Sequence, residues 1–158
     1  SAVKEVLMAC ARLHEYLDEH HIRYISMKHS PAYTAQELAA ATHIPGQEVA
    51  KTVVVKLDGK LALVVLPAPE MVRMNHLKAE SGVSQVELAT EAEFKGRFPD
   101  CEVGAMPPFG NLYDLETFLS ESLTKDVEIA FNAGTHTDLI RMAFTDYENL
   151  VNPRILQG

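Results

Sequence analysis

Apolar residues recur at helical spacing near the start of the chain and at strand spacing further along. The helical spacing predicts an amphipathic helix over residues 3–20, whose apolar positions are Val3, Val6, Leu7, Cys10, Leu13 and Leu17. The next apolar segment, IRYISM at residues 22–27, is short and rich in β-branched and aromatic residues. It therefore predicts a strand that ends before His29-Ser30-Pro31.

The segment AKTVVVKLDGKLALVVLP, residues 50–67, carries the strongest pattern in the chain. Two apolar, β-branched runs flank Asp58-Gly59, a dipeptide that favours a tight two-residue hairpin turn. Both faces of these strands are apolar, so we expect the hairpin to lie in the middle of a sheet that is covered on both sides.

Two capping-box patterns predict helix starts, one at Thr34 with Glu37 and one at Thr90 with Glu93. The first of these helices should stop near Pro45-Gly46. Further helices are expected at residues 71–80, 90–98 and 146–151, and further strands near residues 112–119, 127–131 and 138–144. Because strands and helices do not alternate strictly, the pattern favours one α+β domain over residues 1–158, with a mixed, mostly antiparallel central sheet and surrounding helices.

The charge, the length of the apolar runs and the cysteine spacing exclude several classes of function. Fourteen basic and 22 acidic residues give a net charge of −8, which argues against broad, non-specific nucleic-acid binding but allows recognition of one small end of a nucleic acid. No apolar run is long enough to span a membrane, and no signal peptide is recognisable, although Ser1 need not be the native first residue. Cys10 and Cys101 are too far apart in sequence to suggest a disulfide scaffold or a zinc site, so a reducing cytoplasm is the expected location.

Lys51 is the first candidate for chemistry. Strand alternation places it on one face with Val53, Val55 and Leu57, whereas Lys56 projects to the other. Such a lysine either extends to solvent or points into a pocket, where it could bind a phosphate or stabilise negative charge on an ester carbonyl. Position alone favours the first alternative.

The loop GAMPPFG, residues 104–110, is the second candidate. It could be a rigid connector with Phe109 in the core, or a preorganised wall of a pocket whose glycines let the backbone approach a ligand. Composition leaves these alternatives even.

Histidines and one cysteine complete the candidates. In NAGTHTD, residues 132–138, His136 and Asp138 share a strand face and could form an oriented imidazole or a polar strand entry after Gly134. His29 could face the same cleft or belong to a turn. Cys101 has no basic neighbour in sequence, so a thiol nucleophile is not favoured, and metal-ligand spacings such as HxH or CxxC are absent.

Together these segments resemble the YbaK/ProX family, whose members are free-standing aminoacyl-tRNA deacylases related to the editing insertion of bacterial prolyl-tRNA synthetases. The resemblance runs from about Tyr24 to Pro153 and rests on SPAYTAQELAAATHIPGQEVAKTVVVK, VVLPA, GAMPPFG, NAGTHTDLIRM and DYENLV. It implies a barrel-like central sheet. It also implies hydrolysis of the ester bond of misacylated tRNA, with the tRNA for proline carrying a small wrong amino acid as the expected substrate.

The resemblance also implies the site. Lys51 matches the family's essential strand lysine, and Gly104 to Pro108 match its G-x-x-x-P loop. The substrate-binding residues it implies are His29, Gly104, Ala105, Met106, Pro107, Pro108, Phe109, Gly110, Gly134 and His136. Met27, Met106 and Phe109 could select substrate size, although core packing is the more common use of such residues.

No metal and no cofactor is implied. The expected partners are the acceptor end of misacylated tRNA and prolyl-tRNA synthetase, with no membrane and no DNA. The alternative is a module that binds an aminoacyl-tRNA or a synthetase without turnover. The sequence does not determine which amino acid would be removed.

Overall fold

The computed structural model describes residues 12–157, in which five helices and eight strands follow one another. The helices are α1 (residues 12–19), α2 (Ala35–Thr42), α3 (Met74–Ser81), α4 (Glu91–Phe94) and α5 (Phe144–Val151). The strands are β1 (Tyr24–Lys28), β2 (Ala50–Leu57), β3 (Lys60–Pro67), β4 (Val86–Leu88), β5 (Thr117–Ser120), β6 (Glu128–Asn132), β7 (Asp138–Ala143) and β8 (Arg154–Leu156). The predicted first helix is confirmed over residues 12–19, and its earlier part lies outside the described residues.

The predicted hairpin is formed by β2 and β3 around Asp58 and Gly59, whose φ angles of 50° and 82° lie in the left-handed region that a tight turn of this kind requires. The Asp58 carboxylate also accepts hydrogen bonds from the backbone amides of Ser84 and Gln85. These bonds hold the segment that leads into β4, the neighbour of β2.

The strands form two sheets. One has the order β4-β2-β3-β5-β8, which places the hairpin in its middle as predicted, and the other has the order β1-β7-β6. Four strand pairs are antiparallel and two, β3–β5 and β5–β8, are parallel, so the mixed, mostly antiparallel α+β fold is confirmed. A single parallel bridge between Val49 and Ala130 joins the sheets, and within residues 12–157 they do not close into a barrel. The barrel-like sheet expected from the resemblance is therefore wrong, because the strands divide into two separate sheets.

Helix caps follow the sequence closely. Thr90 and Glu93 form a complete capping box at the start of α4. At α2 only half of the predicted box forms: the Thr34 hydroxyl accepts from the Glu37 amide, whereas the Glu37 carboxylate accepts from that hydroxyl at 3.2 Å and not from the Thr34 backbone amide. Helix α2 ends at Thr42 because His43 adopts a left-handed conformation, just before Pro45-Gly46.

Two predicted elements are shorter than expected. The strand predicted near residues 112–119 begins only at Thr117, because residues 110–112 form a 3₁₀ turn. The helix predicted at residues 90–98 becomes the short α4 followed by a 3₁₀ turn over Lys95–Arg97. Gly96 lies in that turn and disfavours a continued α-helix.

The largest buried cluster lies between the two sheets and fixes the proline loop. Phe109 is fully buried there, with ring-centroid distances of 5.3 Å to Tyr147 and 5.5 Å to Phe131. The Tyr147 hydroxyl of α5 donates a hydrogen bond of 2.6 Å to the carbonyl oxygen of Pro108. The core therefore holds the loop both through an aromatic side chain and through its backbone.

Candidate functional site

Lys51 lies near the start of β2, opposite Leu66 of β3. Its half-buried side chain donates a hydrogen bond of 2.9 Å from Nζ to the carbonyl oxygen of Ala68. Burial lowers the pKa of Lys51 below its ordinary value, and the nearby negative charge of Glu70 opposes part of that change. The ammonium group is thus held against the protein rather than extended freely into solvent.

Glu70 lies in the turn after β3 and is held by two serines from the end of β5 and the turn that follows. Ser120 Oγ donates to one carboxylate oxygen at 2.8 Å and Ser122 Oγ donates to the other at 2.5 Å. Burial alone would raise the pKa of Glu70, but hydrogen bonds from Ser122, Ser120 and Gln47, together with the charge of Arg73, lower it overall. This carboxylate therefore stays ionised at neutral pH.

A cavity of about 240 Å³ opens beside this carboxylate. Its polar side carries Glu70, Ser120 and Ser122, and its apolar side carries Val64, Leu66 and Val72. Basic side chains, Arg73, His76 and Lys125, also line it. Since Lys51 is paired with Leu66, and residues directly opposite in a sheet point to the same side, Lys51 shares the face on which the cavity opens.

The proline loop packs against the other face of the hairpin. Met106 belongs to a buried cluster with Val54 and Leu63, and Phe109 belongs to the central core with Ala50. These hairpin positions alternate with Lys51, so their side chains project away from it. The structure thus groups Lys51 with Glu70 and the two serines, and places the side chains of Met106 and Phe109 in the core behind the hairpin.

A second group of predicted residues meets around the turn between β6 and β7. The amide of Gly134 donates to the carbonyl oxygen of Ala105 at 3.0 Å, and the amide of Glu102 donates to the carbonyl oxygen of Gly134 at 2.8 Å. Gly104 has φ +84°, and a Cβ atom there would lie 3.4 Å from Cε1 of His136. The loop is therefore joined by its backbone to the turn that carries His136.

The ring of His136 lies between two backbone carbonyl groups, within hydrogen-bond distance of each. Its Nδ1 lies 3.2 Å from the carbonyl oxygen of Ala32, and its Nε2 lies 2.8 Å from that of Val103. Of the two alternatives for this segment, the polar strand entry describes the contacts, since the Asp138 carboxylate accepts a 2.6 Å hydrogen bond from the Thr135 hydroxyl. Both ring nitrogens face acceptors, so His136 serves as a link between two loops.

His29 and Tyr33 belong to the same group. The backbone amide of His29 donates to the carbonyl oxygen of Thr137, and its Nδ1 lies 2.7 Å from the carbonyl oxygen of Ser30. Its Nε2 is buried with no hydrogen-bond partner among residues 12–157. The ring of Tyr33, 68% exposed, lies over that of His136 with centroids 4.9 Å apart.

Cys101 lies elsewhere, beside Asp100 and the hydroxyl of Tyr113, which is 3.2 Å from the sulfur. Neither neighbour is the cationic partner that thiolate chemistry uses. In the part of the chain that the structure describes, no group of three His, Cys, Asp or Glu residues is arranged to hold a metal ion. Over the same residues, no helix is long and apolar enough to cross a membrane.

Sequence reasoning did not find Glu70, Ser120 and Ser122. Fifty residues separate Glu70 from Ser120, and the parallel pairing of β3 with β5 brings them together. The one local signal is the acidic residue that follows the strand and the dipeptide Ala68-Pro69. That signal alone does not distinguish a site from a solvated turn.

The sequence pattern of the aminoacyl-tRNA editing domain matches residues 29–150. The chain belongs to this family. It is 32% identical over 92 residues to the proline–tRNA ligases of Bacillus mycoides (strain KBAB4) and Bacillus cereus (strain AH187), matches that cover 58% of this chain and 16% of each ligase. The chain therefore spans about a sixth of the length of these relatives.

Solved structures show the same fold. The hypothetical protein APE2540 superposes with a TM-score of 0.81 at 19% identity, covering 90% of this chain and 95% of that one. A structure described as a candidate trans-editing enzyme for prolyl tRNA synthetase superposes with a TM-score of 0.77 at 20% identity, covering 94% of this chain and 95% of that one. The editing-domain fold over the described residues, including the α+β architecture, is thereby confirmed.

Proposed function

We propose that this editing domain hydrolyses the ester bond of misacylated tRNA in trans, with Lys51 as the catalytic residue. The observation that carries the proposal is the half-buried Lys51 ammonium, which is held by the carbonyl oxygen of Ala68 and feels the charge of Glu70, on the face of the hairpin where a cavity of about 240 Å³ opens. The family match and the likeness to proline–tRNA ligases supply the substrate class.

The reaction needs little beyond positioning and charge stabilisation, because an aminoacyl ester is already activated. A water oxygen attacks the ester carbonyl, and negative charge develops on the carbonyl oxygen. The Lys51 ammonium stabilises that charge. The carbon–oxygen bond to the ribose then breaks, the ribose oxygen takes up the proton that the attacking water has lost, and the free amino acid leaves. A neighbouring ribose hydroxyl of the substrate can orient the water.

The turn that carries Gly134 and His136, with the backbone of the loop at residues 104–110, would receive the terminal adenosine, while the buried side chains of that loop stay behind the hairpin. Backbone hydrogen bonds join these two segments, and the Tyr147 hydroxyl fixes the loop at Pro108. A site made of rigid backbone loses little conformational entropy when a ligand binds.

His136 contacts the carbonyl oxygen of Ala32, and Ala32 shares a buried cluster with Ala68, whose carbonyl oxygen accepts from Lys51. His29, whose buried Nε2 lacks a partner among the described residues, belongs to the same proposed surface.

We further propose the tRNA for proline, charged with a small wrong amino acid, as the substrate. A synthetase pocket cannot strongly reject a smaller side chain by binding alone, so a second hydrolytic site is needed. The net charge of −8 leaves little affinity for the body of a tRNA, and prolyl-tRNA synthetase is the partner that could supply the rest.

The test is a panel of mischarged tRNAs incubated with catalytic amounts of the parent protein, Lys51→Ala and Lys60→Ala. Lys60 is an exposed lysine of the same hairpin and provides the matched control. We expect Lys51→Ala to lose about 100-fold or more in kcat/KM, because one oxyanion-stabilising group is removed. Lys60→Ala should retain the parent rate.

Thermal unfolding must show that Lys51→Ala keeps its fold. Release of amino acid at the parent rate by this variant would contradict the role of Lys51. Binding of the charged tRNA by the parent without release would instead favour a non-catalytic binding module. Loss of activity in Cys101→Ser, with Lys51→Ala active, would transfer the chemistry to the thiol.

A further inference from the structure

We infer that Glu70 binds the α-ammonium group of the aminoacyl ester and that the apolar wall formed by Val64, Leu66 and Val72 receives its side chain. This inference rests on the proposed function. It adds the group that recognises the amino end of the substrate, and it assigns the cavity beside Glu70 to the aminoacyl group.

The hydrogen bonds of Glu70 leave it able to accept one more donor. A carboxylate offers about four acceptor positions. Ser120, Ser122 and Gln47 donate to this one, and its side chain also lines the cavity of about 240 Å³. The serines fix both oxygens in place, so an incoming ammonium would meet a preorganised anion.

The negative charge of Glu70 favours binding of an ammonium group. The hydrogen bonds that hold the carboxylate also lower its pKa, so it is ionised when the substrate arrives. A carboxylate that stays ionised although partly desolvated attracts an ammonium group more strongly than a fully solvated one does. The α-amino group of an aminoacyl ester is such a cation near neutral pH.

Lys51 and Glu70 together match the two ends of one aminoacyl ester. In that ester the amino group and the carbonyl group are attached to each other through a single carbon. Lys51 Nζ bonds to the carbonyl oxygen of Ala68, two residues before Glu70, and Glu70 lines the cavity, so one substrate at this turn can offer its carbonyl oxygen to the ammonium and its amine to the carboxylate. The side chain on the shared carbon then projects toward the remaining wall of the cavity.

The remaining wall of the cavity is formed by apolar side chains. Val64 and Leu66 belong to a buried cluster of the hairpin, and Val72 packs against it. Such a wall favours a small aliphatic side chain.

A competing role for Glu70 is purely structural, because its bonds to Ser120 and Ser122 join the end of β3 to the end of β5. The two roles differ in how they depend on the charge of the substrate amine. Acetylation of the α-amino group removes that charge and keeps the ester, so it separates them.

The experiment compares parent and Glu70→Gln on two substrates. The first substrate is the tRNA for proline charged with alanine, and the second is the same ester with its α-amino group acetylated. Each enzymatic rate is divided by the rate of uncatalysed hydrolysis of the same ester. We expect the parent to prefer the free amine by about 10-fold to 100-fold in kcat/KM, the range of one charge-assisted hydrogen bond. Glu70→Gln should reduce this ratio to about 1 to 3. Because the charge of Glu70 also supports the protonated state of Lys51, both rates can fall in the variant, and the ratio of the two substrates is the decisive readout.

A pH series on the parent is independent of any variant. The preference for the free amine should fall as the pH rises through the α-amino pKa, about 7 to 8. Deprotonation of Lys51 would slow both substrates alike and would leave their ratio unchanged.

The inference is overturned if the parent cleaves the N-acetyl ester as fast as the free-amine ester, or if Glu70→Gln slows both equally. Thermal unfolding checks that this variant is folded, and if it is not, the pH series on the parent decides alone. Absence of release from every charged tRNA in the panel defeats the proposed function instead, so the two failures are distinguishable.

Discussion

At the scale of single residues, the fold restricts some positions much more tightly than their residue type suggests. Gly110 follows Phe109 in the core, and a Cβ atom there would overlap the Thr117 hydroxyl and the Leu115 carbonyl oxygen. Gly96 has open space around it and a negative φ. Two glycines of similar appearance in the sequence therefore have opposite tolerance for a side chain.

We expect Gly110→Ala to lower the free energy of unfolding by about 1–3 kcal/mol, since the methyl group must displace backbone and a buried hydroxyl. Gly96→Ala is the control and should be neutral or stabilising by about 0.4–1 kcal/mol through the unfolded state. Urea unfolding of both variants measures the difference. Equal stability of the two would show that the 3₁₀ turn at residues 110–112 can move away from Thr117.

The sequence predicted which face of a strand a side chain occupies better than it predicted which groups that side chain contacts. Strand alternation separated Lys51 from Lys56, and the structure agrees, because Lys56 bonds to Glu87 and Glu93 on the other side of the hairpin. It did not predict that the charge of Glu70 would act on Lys51, because that effect depends on the path of the chain after β3. It left open whether Asp138 orients His136, whereas the partners of His136 are backbone carbonyls, which no side-chain pattern reveals.

At the scale of helices and strands, the sequence correctly predicted the features that depend on residues close together in the chain. The hairpin turn and the capping box of α4 were both predicted because their partners lie within a few residues. The strand near residues 112–119 was predicted too long, since Gly110–Leu112 pack as a turn against Phe109. Packing against the rest of the chain decided that boundary.

The ion pair that joins α4 to β2 makes an acid-sensitive contribution to stability. The hydrogen bond from Lys56, followed by those from Thr90, lowers the pKa of Glu93 to about 2 from its ordinary 4.5. A carboxyl whose folded pKa is depressed stabilises the fold above its unfolded pKa, and this contribution is lost as the pH falls from about 4.5 toward 2.

We therefore expect Glu93→Gln to destabilise the protein at pH 7 and to have a smaller effect at pH 3, as measured by urea midpoints. Glu91→Gln, an exposed acidic residue of the same short helix, is the matched control and should show little pH-dependent difference from the parent. An effect of Glu93→Gln that is equal at both pH values would assign the stabilisation to the cap geometry rather than to the charge.

At the scale of the whole molecule, two sheets share one core, and the sequence predicted the class of this fold but not its pairing. Parallel pairing of β3 with β5 and of β5 with β8 joins segments far apart in the chain. Such pairings are selected by the total burial of apolar surface rather than by local propensity. The candidate cavity lies at the ends of these strands, so it could not be predicted without the fold.

The net charge of −8 predicts weak dependence of activity on salt. A protein that contacts one or two phosphates should lose little affinity between 50 and 200 mM salt, with a logarithmic slope of about −1 to −2. We expect kcat/KM to follow this slope and to be similar for full-length tRNA and for a minihelix of its acceptor stem. A slope of about −5 or steeper would indicate extensive contact with the tRNA body.

The two-sided hairpin has a consequence for redesign. Val64 and Leu66 line the cavity, whereas their strand neighbours Leu63 and Val65 pack beneath the proline loop or in the core between the sheets. The cavity-lining residues of β3 can therefore be substituted independently of the residues that alternate with them. A library limited to the cavity-lining positions could change which side chain the domain accepts while leaving the packing of the opposite layer intact.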